Sequence, residues 1–515
     1  MGSDDRAGVD FPAGPDGRRS TSATGRAVVA AALHEASPAA ARRAEGEANW
    51  RAGYLTHFRA LVEAGLAAPA AAAGIADAGL AALYRELRAV APDGTESGLD
   101  TLLTAPARRP LATVAVTGTA PPLTELTVPY RGTLLRGGAL ARQLAAWVTA
   151  GTVEPSFAEA INEVTRHPEW LPLPGATVAV LGAGAEMGPV TTLLGWGARV
   201  MAVDLPRPAI WERLLTAARA SAGTLLVPAG GTDAGAGAAD DGAGDGGRLA
   251  RQAGIDLVRD VAAAADWLTG AGAGPDAGPD AGGGSLVLGN YAYADGADHV
   301  RVAAAVDALT RRVQAARAGV ALAFLATPTD VFAVPGDAVA QSQRAYAARS
   351  PASRLAGSSL HLMSGGALLR PAYPAGADPG ISDSLVAQQG PNYALAKRVQ
   401  RWRATVARRD GATVSINIAP PTRTRSVLKN RALAAAYEGA HHFGVEVFEP
   451  ATCQVLMAAL LVYDLHAGDG GPAAQRPPWQ DEAHAAAHGG LWRMAYTPRS
   501  ALTLAAALGY LKSRR

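Results

Sequence analysis

Apolar and polar residues follow two different periods along this chain, and the changes of period divide it. Between residues 27 and 104 the apolar positions recur at helical spacing. Trp50, Tyr54, Phe58 and Leu61 fall four, four and three apart, which makes one face of an amphipathic helix. Residues 111–130 switch to strand character, with LATVAVTG and LTELTVPY joined through Pro121–Pro122 as a short strand pair. Two helices are expected near 138–150 and 156–166. Beyond the LPLPG at 171–175, short apolar runs alternate with helical stretches. Strands are predicted at 177–181, 198–203, 224–227, within 285–296 (a strand running into a polar turn), 320–326, 358–366 and 412–421. Helices are predicted at 210–220, 254–268, 300–313, 337–348 and 392–409. This alternation predicts an α/β fold with a doubly wound parallel sheet.

The pattern also sets expected boundaries. Residues 1–26, rich in Gly, Asp, Arg and Ser, are expected to be disordered. A mostly helical region with the strand pair spans 27–174, the sheet domain 175–465, and a helical tail 466–515. Two Gly/Ala/Asp tracts, 229–247 and 270–284, read as solvent loops inside the sheet domain.

Composition narrows the classes. The formal net charge of +2 comes with no long basic run, so no nucleic-acid partner is expected. The single cysteine, Cys453, allows no intrachain disulfide and no cysteine-based zinc site, and it sits in an apolar run that predicts a buried thiol. Pro450 to Tyr463 is too short to span a bilayer, so no integral membrane segment is expected. Arg18–Arg19 precede too short an apolar run for an export signal, and a cytoplasmic location is expected. His441–His442 are adjacent and do not share a helix face, so they predict no metal site.

The chemistry gathers in two stretches. The first is TVAVLGAGAEMGPVTTLLGWGARVMAVD at 177–204: strand, glycine turn, helix, strand, acid. A glycine turn lets backbone N–H groups approach a pyrophosphate, and an acid at the next strand end accepts hydrogen bonds from a ribose. The glycines are Gly182, Gly184 and Gly188, with Met187 where the third glycine of GxGxxG would fall; the acid is Asp204. Methyltransferases that use S-adenosylmethionine carry a similar turn and acid. A unit whose glycines merely permit close packing is a further alternative. The second stretch is Tyr393-Ala-Leu-Ala-Lys397, whose tyrosine and lysine share one helix face. A cation beside a phenol lowers its pKa and suits it to proton transfer with a carbonyl or alcohol oxygen.

With these residues the chain resembles the short-chain dehydrogenase/reductase superfamily over about 176–430. The resemblance rests on GAGAEMG at 182–188, Asp204, GNYAYADG at 289–296, Ser364, YALAK at 393–397 and INIAPPTRTRS at 416–426. It implies a Rossmann-like core and NAD as cofactor, with NADP possible. It implies Tyr393 as acid/base, Lys397 as ribose ligand and tuner of the tyrosine, and Ser364 as the group orienting the substrate oxygen. Ser382 and Ser384 are fallbacks for that last role. Cofactor contacts are implied at Gly182, Gly184, Glu186, Met187, Gly188, Asp204, Asn290, Pro420 and Thr422, with Pro421 and Thr424 in the same stretch. Glu186 departs from the family's GxxxGxG by taking its middle glycine, and Ser364 lies 29 residues before Tyr393 instead of about a dozen. The expected function is hydride transfer between a nicotinamide and a carbonyl or secondary alcohol of a small-molecule substrate, and the resemblance allows a homo-oligomer. A methyltransferase and a non-catalytic dinucleotide-binding protein are the alternatives.

Overall fold

The computed structural model describes residues 7–230, 245–270, 284–466 and 476–513. The chain opens with β1 (Gly8–Asp10), which pairs antiparallel with β2 (Arg88–Val90), itself paired with β3 (Glu96–Gly98). Four helices, Thr21–Leu33, Pro38–Glu45, Trp50–Gly65 and Pro69–Glu86, lie between β1 and β2. β4 (Leu111–Thr117) follows, then the hairpin of β5 (Val128–Tyr130) and β6 (Thr133–Leu135). The core strands are β7 (Ala176–Leu181), β8 (Arg199–Val203), β9 (Thr224–Gly230), β10 (Ser285–Asn290) and β11 (Ala321–Ala326). After the antiparallel pair β12 (Val331–Val334) and β13 (Gly380–Asp383) comes the last core strand, β14 (Val414–Ile418).

The central sheet has the order β14-β11-β10-β7-β8-β9-β4. Its six core strands are parallel, and counted among themselves they run 3-2-1-4-5-6, a doubly wound order that reverses between β7 and β10. Strand periodicity sends alternate side chains to opposite faces. Val178 and Val180 of β7 enter one apolar core, while Ala179 and Leu181 enter the other. Both faces are covered, which explains why β7 and β8 read as mostly apolar runs, while the two buried polar residues of β14, Ser415 and Asn417, bond the Asp464 carboxylate.

Several expected boundaries move. Residues 8–10 form a buried strand, and the first helix starts at Thr21, so residues 7–26 are ordered where disorder was expected. Val9 is tied to Val258 by a backbone hydrogen bond, and Arg19 pairs with Asp10 at 3.2 Å. β4 does not pair with the 123–130 segment. It joins the central sheet, antiparallel to β9, so the expected boundary at 174 runs through one sheet. The four N-terminal helices share a core with helices Ala297–Ala316 and Gly390–Arg409. Gly79 shows how closely: a Cβ there would meet the Trp402 ring at 2.5 Å. The tail is also more than helical. Between helices Pro478–Ala483 and Pro498–Ser513, His488 and Trp492 are fully buried, and His488 contacts Glu154 at 2.9 Å.

SSLHLMSGG is not a strand. It ends the helix Pro351–Met363, which starts with Ser350 accepting the Ser353 N–H and Pro351 in the first turn. The helix expected at 254–268 begins only at Val261. Most of both Gly/Ala/Asp tracts lies outside the described residues, but β9 extends to Gly230 and a helix starts at Asp245. Cys453 is buried.

Candidate functional site

A cleft of about 1030 Å³ lies across the carboxyl ends of the parallel strands. Ligands of doubly wound sheets bind in this position, at the point where strand order reverses. Gly182, Gly184, Glu186, Met187, Asp204, Tyr393, Lys397, Pro420, Pro421, Thr422 and Thr424 all line it. Gly188 closes the turn behind the cleft through its N–H on Ala185 O at 2.9 Å and does not line it. Asn290 is buried at the end of β10, where its side-chain oxygen accepts the Ala292 N–H; the residues after it, Tyr291 to Gly296, form the wall.

The glycine turn is built tightly. Gly182 has φ +82°, and a Cβ on it would meet the Ala292 backbone at 2.7 Å. A Cβ on Gly184 would meet Ile210 at 2.8 Å. Both glycines therefore allow close packing of the turn against its neighbours. The helix that follows, Val190–Gly195, has only six residues. Asp204 stands at the end of β8, and its carboxylate is partly committed. Oδ2 accepts the Gly184 N–H at 2.7 Å and Oδ1 the Leu205 N–H at 2.8 Å. Burial raises its pKa, opposed by these two N–H groups and by Arg213 and Arg207. Glu186 carries a second tie. Its carboxylate accepts the Arg425 N–H at 2.8 Å and so links the turn to the segment after β14. The N–H groups of Glu186 and Met187 have no acceptor among the described residues.

The tyrosine wall is held by a buried ion cluster. Asp330 bonds Arg398 at 2.8 Å and Arg401 at 2.7 Å, which fixes the end of β11 to helix Gly390–Arg409. Burial opposes the Asp330 charge, but the two guanidinium groups hold its carboxyl below the usual range. Tyr393 and Lys397 project from this helix into the cleft. The expected activation of the phenol does not occur in this arrangement. The Lys397 ammonium donates to Leu325 O at 3.3 Å and to Gln400 at 3.2 Å. Burial pushes Tyr393 up to about 12, against a lowering interaction with the Thr327 side chain. Burial also pushes Lys397 down to about 8, with Asp330 opposing.

Ser364 is not in the cleft. It caps the helix Pro351–Met363, where its hydroxyl bonds His361 O and the Leu368 N–H. Ser382 and Ser384 are buried and within 3.2 Å of each other, also away from the cleft. The hydroxyl beside Tyr393 is that of Thr327, which follows β11 and lies 2.9 Å from the Thr329 hydroxyl. The sequence carried a signal for it, TPTD at the end of a predicted strand. The insert of β12, two helices and β13 separates Thr327 from Tyr393 along the chain and hides their proximity. His299 was also missed. It sits in the first turn of helix Ala297–Ala316 and lines the cleft, its ring 5.3 Å from that of Tyr393 and 4.9 Å from that of Tyr293. Burial, with Lys397 adding, pushes it down to about 3, so the imidazole is neutral.

No protein-family model matches the chain, and searches of curated proteins and of solved structures return no match. Among the described residues, no helix is long and apolar enough to cross a membrane, and no group of three or more His, Cys, Asp or Glu is arranged to hold a metal ion.

Proposed function

We propose that this protein is a NAD(P)-dependent oxidoreductase of the short-chain dehydrogenase/reductase type, exchanging hydride between a nicotinamide and a carbonyl or secondary alcohol. The observation that carries the reading is a single cleft with a glycine turn and strand-end acid on one side and Tyr393, Lys397 and Thr327 on the other. The residues fit a dinucleotide. Asp204 is available to ribose hydroxyls, and the free N–H groups of Glu186 and Met187 are available to phosphate oxygens. When bound, the nicotinamide supplies or accepts the hydride. Thr327 takes the role expected of Ser364, orienting the substrate oxygen. Tyr393, protonated at neutral pH, gives its proton to a carbonyl oxygen, which favours the reductive direction. NAD is preferred to NADP because Asp204 would repel a 2′-phosphate, with Arg207 the residue that opposes this choice.

The test is a thermal-shift screen with NAD, NADP and S-adenosylmethionine, since a ligand that binds only the native state raises its stability. A dinucleotide should raise the melting temperature and S-adenosylmethionine should not; the reverse result rejects the reading. One observation favours a second reading, a dinucleotide-binding protein without turnover: the Lys397 ammonium is spent on Leu325 and Gln400. Dinucleotide binding without oxidation of NADH or NADPH across a carbonyl panel would select it.

A further inference from the structure

Two residues beside Tyr393 carry buried polar atoms with no hydrogen-bond partner among the described residues: both ring nitrogens of His299 and the amide oxygen of Gln389. Both residues line the cleft that holds Tyr393. They come from separate elements, His299 from helix Ala297–Ala316 and Gln389 from the turn that leads into helix Gly390–Arg409. Buried polar groups are nearly always paired, so unpaired ones converging on a cleft point to a ligand that pairs them. The imidazole is neutral and offers one donor and one acceptor. Gln389 keeps its amide N–H on Thr329 at 2.8 Å and offers an acceptor. Aromatic faces complete this end of the cleft. Tyr437 lines it, and the half-exposed Tyr293 packs edge-on against His299.

The Lys397 cation at this end already donates to Leu325 O and Gln400, so the groups left unpaired are neutral. Neutral donors and acceptors among aromatic faces suit hydroxyl groups on a compact carbon ring, whereas a carboxylate or phosphate would meet an amide oxygen that repels it. Building on the oxidoreductase reading, we infer that the substrate is a neutral cyclic hydroxy ketone, with its carbonyl oxygen at Tyr393 and its adjacent hydroxyl held by His299 and Gln389. The carbonyl carbon receives a hydride with its electron pair from the reduced dinucleotide, which is oxidised. The C=O π pair moves onto oxygen, Tyr393 supplies the proton, and the phenolate regains one from water. The product is the vicinal diol.

The experiment compares 2-hydroxycyclohexanone with cyclohexanone as substrates, using NADH and NADPH in turn. A site built to bond a hydroxyl rejects the analogue that lacks it, so the wild type should prefer the hydroxy ketone by on the order of 10²-fold in kcat/KM. His299→Phe should bring that ratio close to one, and His299→Asn, which keeps a donor and an acceptor, should restore part of it. Equal use of the two ketones by the wild type, or a ratio that survives His299→Phe, overturns the inference. If neither ketone is reduced, myo-inositol is titrated into protein with ¹⁵N-labelled histidine. A saturable shift of the His299 ring signals then keeps the hydroxyl-reading site while the hydride-transfer reading fails. No shift overturns the site as well.

Discussion

The two ends of the cleft treat their polar groups in opposite ways. At the glycine-turn end each carboxylate already accepts backbone N–H groups, with acceptor capacity left over: Asp204 from Gly184 and Leu205, Glu186 from Arg425. At the tyrosine end His299 and the Gln389 oxygen are buried without partners. A turn braced by its own side chains is held in shape before any ligand arrives, with the Glu186 and Met187 N–H groups left over for one. A pocket with unsatisfied groups carries a standing cost, about 1–3 kcal/mol for each buried group left unpaired, which a matching ligand removes. On the proposed reading, that difference is the one between a preformed cofactor platform and a substrate pocket, and variants at the two ends should behave differently.

The largest effect belongs to the tyrosine end. Tyr393→Phe should lower turnover by roughly 10²–10⁴-fold, the range for loss of a general acid, while the dissociation constant for the dinucleotide stays close to that of the wild type. The pH profile sharpens this. With its pKa at about 12, Tyr393 keeps its proton through neutral pH, so carbonyl reduction should not fall between pH 6 and pH 8 as it would for a phenol tuned to neutrality. Lys397, at about 8, loses its charge above that point, so KM for the dinucleotide should rise there. A tyrosine variant that retains wild-type turnover removes Tyr393 from the reaction.

Asp204→Ala comes next. It removes the acceptor of two N–H groups, Gly184 and Leu205, in a partly buried turn. Loss of stability by about 1–3 kcal/mol in urea unfolding is expected, together with weaker NAD binding and a narrower advantage of NAD over NADP. If NAD affinity is unchanged while stability falls, Asp204 serves the turn alone. If the wild type binds NADP more tightly than NAD, Arg207 is the selector.

How much of this was legible in the sequence follows from the range of the interactions involved. The strand–turn–strand–acid unit and the tyrosine–lysine helix are local patterns, read from periodicity and spacing, and the glycine turn, Asp204, Tyr393 and Lys397 all line one cleft. Pairings distant along the chain left no such trace. β4 is an edge strand whose partner, β9, lies more than a hundred residues on. The ordering of residues 8–10 depends on Val258 and on β2. Thr327 and Tyr393 are separated along the chain by the insert of β12, two helices and β13, so nothing local pairs them, and spacing pointed to Ser364 instead. His299 is a lone histidine after a polar turn, and only its burial among tyrosines without a partner singles it out. The SSLHLMSGG error was local: the Ser350–Pro351 helix start and the Gly365–Gly366 stop were both in the sequence.

The smallest effect tests the turn. Glu186 takes the place of the middle glycine of the GxxxGxG pattern and brings a negative charge to a cleft-lining turn in which the N–H groups of Glu186 itself and Met187 have no acceptor among the described residues. A pyrophosphate over this turn would feel that carboxylate through partly exposed surroundings, where charge pairs are worth about 0.2–1 kcal/mol. Glu186→Gly should therefore tighten dinucleotide binding by roughly 2- to 5-fold in calorimetric titration. Glu186→Gln separates charge from tether, since the amide oxygen can still accept the Arg425 N–H while the charge is gone. Equal tightening in both variants assigns the effect to repulsion. Tightening in the glycine variant alone assigns it to the tie between the turn and the segment after β14. If neither variant binds more tightly, no phosphate crosses residues 186–187, and the glycine-turn end is a packing unit rather than a cofactor platform.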